Sequence, residues 1–225
     1  MEHSTAALRF INENDIEHFS ASLTETPIHE NAFSITEEEK INIITKHFSG
    51  IMHALGLDLS DESLKDTPRR VAKMYVQEIF GGLNPVNKPA ATIFKNTFGY
   101  KGILVEKNIN LYSTCEHHFV PIIGKGHVAY ISSGSVIGLS KINRVVHYYA
   151  SRPQVQERLT RQVADGLKEA LSTNDVAVII DAAHLCVASR GIKDTSSSTI
   201  TAHYSGQFKN EDVKKEFLDL LHLSK

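Results

Sequence analysis

The sequence predicts an α+β fold from three observations. Two amphipathic helical patterns precede residue 83, a stretch rich in β-branched and aromatic residues follows, and further helical and strand patterns then succeed one another to the end. The chain has 225 residues, 41% of them apolar, so it can bury a sizeable core without cross-links. No repeat or linker divides residues 34–225, and we expect one domain there, preceded by an irregular or partly helical arm at 1–33.

The first helix is predicted within residues 34–57. Thr36 and Glu39 have the spacing of a capping box, apolar residues from Ile41 to Leu55 recur at steps of three and four, and Gly56 follows. This pattern indicates an amphipathic helix with one buried face.

The second helix is predicted within DTPRRVAKMYVQEIFGG, residues 66–82. Thr67 can cap it, Pro68 suits the first helical position, and Gly81 and Gly82 can end it. Arg70 and Lys73 lie near its start, where the helix dipole does not favour cations, and this placement suggests another use for them.

The middle of the chain predicts antiparallel strands. Residues 91–114 are β-branched and aromatic with partial alternation, and GHVAYI at 126–131 and VIGLS at 136–140 flank the turn sequence SSGS.

The last third predicts two helices, two strands and a closing helix. Ser140 can cap a helix from Lys141 that breaks at Arg152-Pro153, and apolar residues spaced by four indicate a longer helix over 155–171. Residues 176–191 and 195–208 have strand composition, and 211–223 form a short helical pattern.

Charge and cysteine content exclude several classes of function. The formal net charge of −2 provides no basic field for nucleic acid or an anionic membrane, and no apolar run approaches the roughly 18 residues of a membrane span. The N-terminus lacks the pattern of a secretory signal, and two cysteines are too few for a disulfide framework. We expect a cytoplasmic protein with no nucleic-acid or membrane partner.

The stretch STCEHHFVP contains the residues with the strongest chemical signal. Cys115 and His118 are three residues apart, which suits two ligands of one zinc ion, and His184 and Cys186 would share a face of the strand predicted around Cys186. If the two segments meet, Cys115, His118 and Cys186 leave one coordination position for water, as in catalytic zinc sites, with His117 beside them.

Three other interpretations of these residues stay open from the pattern alone. Cys115 can be a buried apolar residue, a nucleophile activated by a neighbouring histidine, or one half of a single disulfide with Cys186.

Five blocks, DTPRRVAKM, CEHHFVP, GLSKINRVV, RPQVQERLT and HLCVASRGI, together resemble the GTP cyclohydrolase I family in the same order, over about residues 41–208. The resemblance implies Zn²⁺ held by Cys115, His118 and Cys186, with His117 and His184 as the proton-transfer pair. The substrate implied is GTP, opened at C8 of guanine to give formate and 7,8-dihydroneopterin triphosphate, the first step of pterin and tetrahydrofolate synthesis.

The resemblance also assigns substrate contacts. Glu157 would bind the guanine edge, since a carboxylate accepts from both the ring N–H and the exocyclic amine, and Gln156 would assist at the base. The triphosphate would meet the cationic side chains Lys141, Arg144 and Arg190, with Arg70 and Lys73 as weaker candidates. Ser140 would bind phosphate or pass protons in addition to capping its helix.

The fold implied is the tunnelling fold, in which an antiparallel sheet carries two helices on one face behind an N-terminal helical hairpin. The family joins five such sheets into a barrel and stacks two barrels into a homodecamer, with active sites between subunits. His203 and Tyr204 depart from the Thr/Ser-rich run expected in their segment.

Two rival functions remain. A related nitrile reductase with a nicotinamide cofactor would use cysteine as its nucleophile. A zinc-stabilised binding module would need a fourth protein ligand and would catalyse nothing.

Overall fold

The computed structural model describes residues 25–222. Its six α-helices are α1 Glu37–Ala54, α2 Thr67–Lys73, α3 Leu139–Ala150, α4 Gln156–Leu171, α5 Leu185–Ala188 and α6 Glu211–His222. The seven strands within the same residues are β1 Ile93–Lys95, β2 Ile103–Cys115, β3 Pro121–Ile131, β4 Ser135–Ile137, β5 Pro153–Gln154, β6 Val176–His184 and β7 Thr199–Tyr204. None of the described helices is both long and apolar enough to cross a bilayer.

The N-terminal segment is described only in part. Most of the predicted arm, residues 1–24, lies outside the described residues, and 25–33 contain bends and a turn but no helix or strand. The predicted capping box is present: Thr36 Oγ1 accepts from Glu39 N at 3.2 Å, and Glu39 Oε2 accepts from Thr36 N at 2.7 Å. These bonds satisfy orphan donors at the start of α1.

The second helix is confirmed, although its cap differs from the prediction. Asp66 holds the N-cap position without a side-chain hydrogen bond, and Thr67 is the first helical residue. The helix continues through a π-helical segment, Met74–Ile79, that the sequence did not reveal. Gly82 then approaches α3 so closely that a Cβ there would lie 2.0 Å from Tyr148 O.

The main sheet has the order β5-β2-β3-β6-β7 and is antiparallel except for the short β2/β5 pair. The register pairs Thr114 with Pro121 and Ile122 with His184. The end of β2, the start of β3 and the end of β6 therefore lie at the same end of the sheet. Strands β1 and β4 form a separate antiparallel pair.

Each face of the sheet is covered by helix. On one face, α3 and α4 pack over the main apolar core, which includes Leu111, Val128, Val178, Leu159 and Val163. On the other face, α6 and the segment before it bury Phe208 and Phe217 against Ala129 and Ala177. The alternation of side chains along β3 and β6 separates the two cores, as expected for a sheet covered on both sides.

Two local predictions were wrong. Gly138, not Ser140, is the N-cap of α3, because Lys141 N already bonds to Gly138 O at 2.7 Å and Ser140 lies in the first turn. The strand predicted around Cys186 ends at His184, and Cys186 lies on the one-turn helix α5. The partner strand β3 begins at Pro121, which has no N–H with which to extend the ladder.

Candidate active site

The structure brings Cys115, His118 and Cys186 together, with their ligand atoms all within 4.8 Å of one another. Because these three residues could hold a metal ion, we call them the metal group. Cys115 is the last residue of β2 and is buried. The following turn is closed by Phe119 N, which donates to Cys115 O at 2.9 Å, and Phe119 takes a left-handed φ of 51°. This tight turn returns His118 to the side of Cys115, with His118 Nδ1 3.9 Å from Cys115 Sγ.

The three donors fit a metal ion chemically. Two sulfurs and one imidazole nitrogen are typical ligands of zinc, and three ligands leave one tetrahedral position open. Both cysteines are free thiols, so the disulfide alternative is not what the structure shows. Among residues 25–222, no other group of three such donors is found.

Burial, and then the adjacent Cys115 sulfur, raises the pKa of the Cys186 thiol above its ordinary value. Both causes disfavour the charged thiolate form of Cys186. A bound cation would reverse this effect, since metal binding displaces thiol protons.

His117 lies beside Cys115, His184 lies two residues before Cys186, and the two histidines are in different environments. His117 is 56% exposed at the side chain, and its Nδ1 is 3.8 Å from Cys115 Sγ. His184 is half-buried at the end of β6. Burial lowers the pKa of His184 below its ordinary value, and the charge of Glu157 opposes this shift only in part.

The side chain of Gln156 holds His184 in place. Its Nε2 lies within hydrogen-bond distance of Ile180 O at 3.1 Å, Thr199 O at 2.7 Å and Thr201 Oγ1 at 3.1 Å. The amide oxygen therefore faces His184, whose Nε2 is 2.7 Å away. Because an amide oxygen only accepts, His184 donates through Nε2, and its Nδ1 is the nitrogen without this proton.

Glu157 is the neighbouring residue on the first turn of α4 and is exposed. In contrast to the buried amide of Gln156, its carboxylate is available to a ligand. The family resemblance implies that both residues contact the guanine base, whereas in this structure the Gln156 amide contacts protein groups.

The predicted phosphate-binding cations divide into three locations. Arg190 donates from Nη1 to His118 Nε2 at 2.9 Å, so it lies directly at the metal group. Arg70 and Lys73 lie on α2, where Arg70 donates to Ser63 O at 3.3 Å.

Ser140, Lys141 and Arg144 lie on α3 and have no hydrogen bond or ion pair with the metal group among the described residues. Their helix begins beside the far end of β3: Ile137 N donates to Tyr130 Oη at 3.4 Å, whereas His184 pairs with Ile122 at the near end. Tyr130 lies eight positions along β3 from Ile122, roughly 26 Å at about 3.3 Å per residue. Ser140 and Lys141, at the start of α3, therefore lie far from the metal group of their own chain. Arg144 lies further along α3, whose other end meets β2 where Ser113 Oγ donates to Ala150 O at 2.8 Å.

The sequence interpretation missed one pair of residues next to the site. Arg158 is fully buried, and its Nη2 forms an ion pair with the carboxylate of Glu116. Glu116 is the residue between Cys115 and His117. A signal existed: Arg158 precedes Leu159 on the apolar face of α4, and a cation on a buried face requires a partner.

Comparison with known proteins agrees with this site. A model of the family described as GTP cyclohydrolase I matches residues 44–222. GTP cyclohydrolase 1 of Flavobacterium johnsoniae is 59% identical over 214 residues, which is 95% of this chain and 96% of the relative. The enzymes of the same name from Citrobacter koseri and Enterobacter sp. strain 638 are 50% and 49% identical over 195 residues, 86% of this chain and 88% of each relative.

Proposed function

The chain belongs to the GTP cyclohydrolase I family, and we propose that it opens the guanine ring of GTP at a zinc centre, releases C8 as formate and forms 7,8-dihydroneopterin triphosphate. The observation that carries this proposal is the convergence of Cys115, His118 and Cys186, with His117 Nδ1 3.8 Å from Cys115 Sγ and His184 two residues before Cys186. In this role the enzyme would catalyse the first step of pterin and tetrahydrofolate synthesis.

Cys115, His118 and Cys186 would hold the zinc ion, and three protein ligands fit a catalytic rather than a structural site. When bound, zinc would supply the Lewis acidity that makes water a nucleophile near neutral pH. The site lies at the end of the sheet, where strand ends and turns, rather than sheet side chains, surround it.

Proton transfer would fall to His184 and His117. The Gln156 amide oxygen accepts the hydrogen bond from His184 Nε2. His184 Nδ1 would therefore take a proton and pass it to the guanine ring nitrogen next to C8 as the bond between that nitrogen and C8 opens. The lowered pKa keeps His184 neutral, and thus able to accept, at pH 7. The exposed His117 would serve the later proton transfers, in which the ribose rearranges and closes onto the freed amines.

Base selection would fall to Glu157. Its carboxylate can accept from the ring N–H and the exocyclic amine of guanine together, and adenine lacks this pair of donors on one edge. Glu157 follows Gln156 at the start of α4, and Gln156 contacts His184, which supports a role for Glu157 close to this histidine.

The triphosphate would lie between two copies of the chain. Arg190 contacts His118, whereas Ser140 and Lys141 at the start of α3, with Arg144 further along the helix, have no contact with the metal group of their own chain among the described residues. A site formed with a neighbouring copy would bring these residues and Arg190 to one triphosphate. Such sharing supports the tunnelling fold, in which sheets join edge to edge into pentameric barrels and two barrels form a decamer. Strands β5 and β7 are the edge strands of the described sheet, and this joining would cover them.

The rival functions are less well supported. A reductase that uses a cysteine nucleophile has no need of the second thiol and the imidazole that lie against Cys115. A zinc-stabilised binding module needs a fourth ligand, and within residues 25–222 the group contains three. The single domain at 34–225, the arm at 1–33 and the cytoplasmic location stay predictions.

The test compares metal-stripped and zinc-reloaded protein incubated with GTP, with formate and pterin absorbance followed together. We expect both products in equal amounts after reloading and neither after stripping. Tight zinc binding in an intact oligomer without formate would favour the binding module instead.

A further inference from the structure

The buried ion pair between Glu116 and Arg158 links two segments whose relative position matters for the proposed reaction. Glu116 lies within the metal-ligand turn, between Cys115 and His117. Arg158 lies on the first turn of α4, directly after Glu157. The pair therefore connects the metal centre to the helix turn that would bind guanine.

The Arg158 guanidinium also forms hydrogen bonds with residues that precede α4. Arg158 Nε donates to Gln154 Oε1 at 3.0 Å, and Nη2 donates to Pro153 O at 3.3 Å as well as to Glu116. The backbone joins the same two segments, since Glu116 N donates to Gln154 O at 3.0 Å. The guanidinium plane is thus fixed from several sides.

The second oxygen of the same carboxylate faces the site. Glu116 Oε1 is 3.9 Å from His117 Nε2, whereas Oε2 contacts Arg158. Glu116 thus lies between the buried guanidinium and a histidine that would transfer protons. A shift of its carboxylate would move both the turn and His117.

Stability alone is a poor explanation for this arrangement. The Arg158 side chain is fully buried, and its Nη1 has no hydrogen-bond partner among the described residues. Burying a guanidinium costs desolvation energy, and apolar replacements of buried ion pairs often leave stability unchanged or higher. Fixed geometry next to a reacting centre is a benefit that an apolar pair would not provide.

We propose that Glu116 and Arg158 are positioning residues that set the spacing between the metal-ligand turn and the guanine-binding turn of α4. The proposal rests on the proposed function for the meaning of that spacing. Neither side chain takes part in the chemistry; they act through Cys115, His117 and Glu157.

Two variants test the proposal. Glu116→Gln keeps the shape and one hydrogen bond but removes the charge. The double variant Glu116→Gln with Arg158→Met removes both charges, so that no unpaired charge stays buried. Glu169→Gln is the matched control, because Glu169 lies on the same helix in an exposed ion pair with Lys88.

The first measurement is metal affinity, by competition with a chromophoric chelator, together with the visible absorption spectrum of the cobalt-substituted protein. Substitutions of residues that orient metal ligands typically weaken binding about 10- to 100-fold, and we expect this range and an altered spectrum for both variants. The second measurement is turnover of GTP, for which we expect kcat to fall about 10-fold or more while KM changes little, since the geometry of attack is lost rather than the binding groups.

The outcomes separate the two proposals. Normal metal affinity, cobalt spectrum and kcat in a folded double variant would show that the pair is only structural and would overturn the inference. If the double variant does not fold, the same readouts on Glu116→Gln decide. If the parent protein itself releases no formate, the proposed function fails, while the metal affinity and spectrum still test the pair.

Discussion

At the scale of single residues, the site depends on which nitrogen of His184 is free. The buried Gln156 amide is oriented by acceptors on β6 and β7, so its oxygen faces His184 Nε2 at 2.7 Å. This leaves His184 Nδ1 for proton exchange and keeps the ring at a fixed angle.

Replacing His184 by alanine should stop the chemistry without removing the metal. We expect zinc content near that of the parent protein and a rate of formate release lower by about 10²- to 10⁴-fold, the usual contribution of a positioned acid–base group. Zinc by elemental analysis and formate by enzymatic assay give the two readouts. The exposed His47→Ala should change neither; a His184 variant with near-full turnover would remove this residue from the mechanism.

The sequence predicted which residues form the metal group but not their supports. Cysteine and histidine at short spacings have a chemical signature, and the structure places Cys115, His118 and Cys186 within 4.8 Å. The partners Gln156–His184 and Glu116–Arg158 join residues 28 and 42 positions apart. Their side chains meet only because the sheet register brings strand and helix ends together, and no local pattern encodes that register.

At the scale of secondary-structure elements, the sequence predicted some boundaries correctly and others wrongly. The capping box of α1 was predicted correctly because both its residues are local. The end of β6 and the start of α3 were wrong because they depend on the partner strand at Pro121 and on backbone bonding at Gly138.

The close contact at Gly82 gives a prediction about stability. A methyl group there would lie 2.0 Å from Tyr148 O and 2.8 Å from Ser151 O, so Gly82→Ala must separate the helical hairpin from α3. We expect a loss of about 2 kcal/mol or more in the free energy of unfolding, as for other overpacked sites. Denaturant titration measures it.

The matched control is Gly50→Ala, within α1, where a Cβ would meet nothing within 4 Å. We expect this change to raise the free energy of unfolding by about 0.5–1 kcal/mol through helix propensity. Equal effects of the two substitutions would contradict the close contact.

His127 on β3 gives a prediction about pH. Burial lowers its pKa below the ordinary value of about 6.5; Asp181 opposes this shift, and Lys107 and Lys125 add to it. The unfolded chain therefore binds the proton more readily, so His127 contributes full stability above about pH 6.5 and loses it as the pH falls.

The experiment compares urea midpoints at pH 7.5 and 5.5 for the parent and for His127→Gln. We expect a smaller acid-induced loss in the variant, whereas the exposed His47→Gln should behave like the parent. An unchanged acid-induced loss in His127→Gln would show that this histidine is not responsible.

At the scale of the whole molecule, the proposed function requires sites shared between copies of the chain. Arg190 lies at the metal group, while Lys141 lies on α3 near the opposite end of β3. Single-chain geometry therefore separates two groups of residues that one triphosphate would need. The triphosphate contacts Arg190 and Lys141 were predicted only through the family resemblance. The residue pattern of one chain does not show how its copies are arranged.

Subunit mixing tests this arrangement. Cys186→Ser should lack the metal half of each site and Lys141→Ala the phosphate half, so each variant alone should be nearly inactive. Coexpressed in equal amounts, they should recover about a quarter of the parent activity, since a site with both intact halves arises by chance once in four at a heterologous interface. No recovery in mixed oligomers of confirmed composition would contradict a shared site.

A single labelled carbon atom tests ring opening at this centre. GTP labelled with ¹³C at C8 is incubated with the zinc-loaded protein and observed by ¹³C NMR. We expect the label to leave the purine and appear as formate, and we expect it to stay in GTP with the Cys186→Ser variant. A label that stays in the ring while GTP is consumed, or that is released equally by the parent and Cys186→Ser, would contradict ring opening at the Cys115–His118–Cys186 centre.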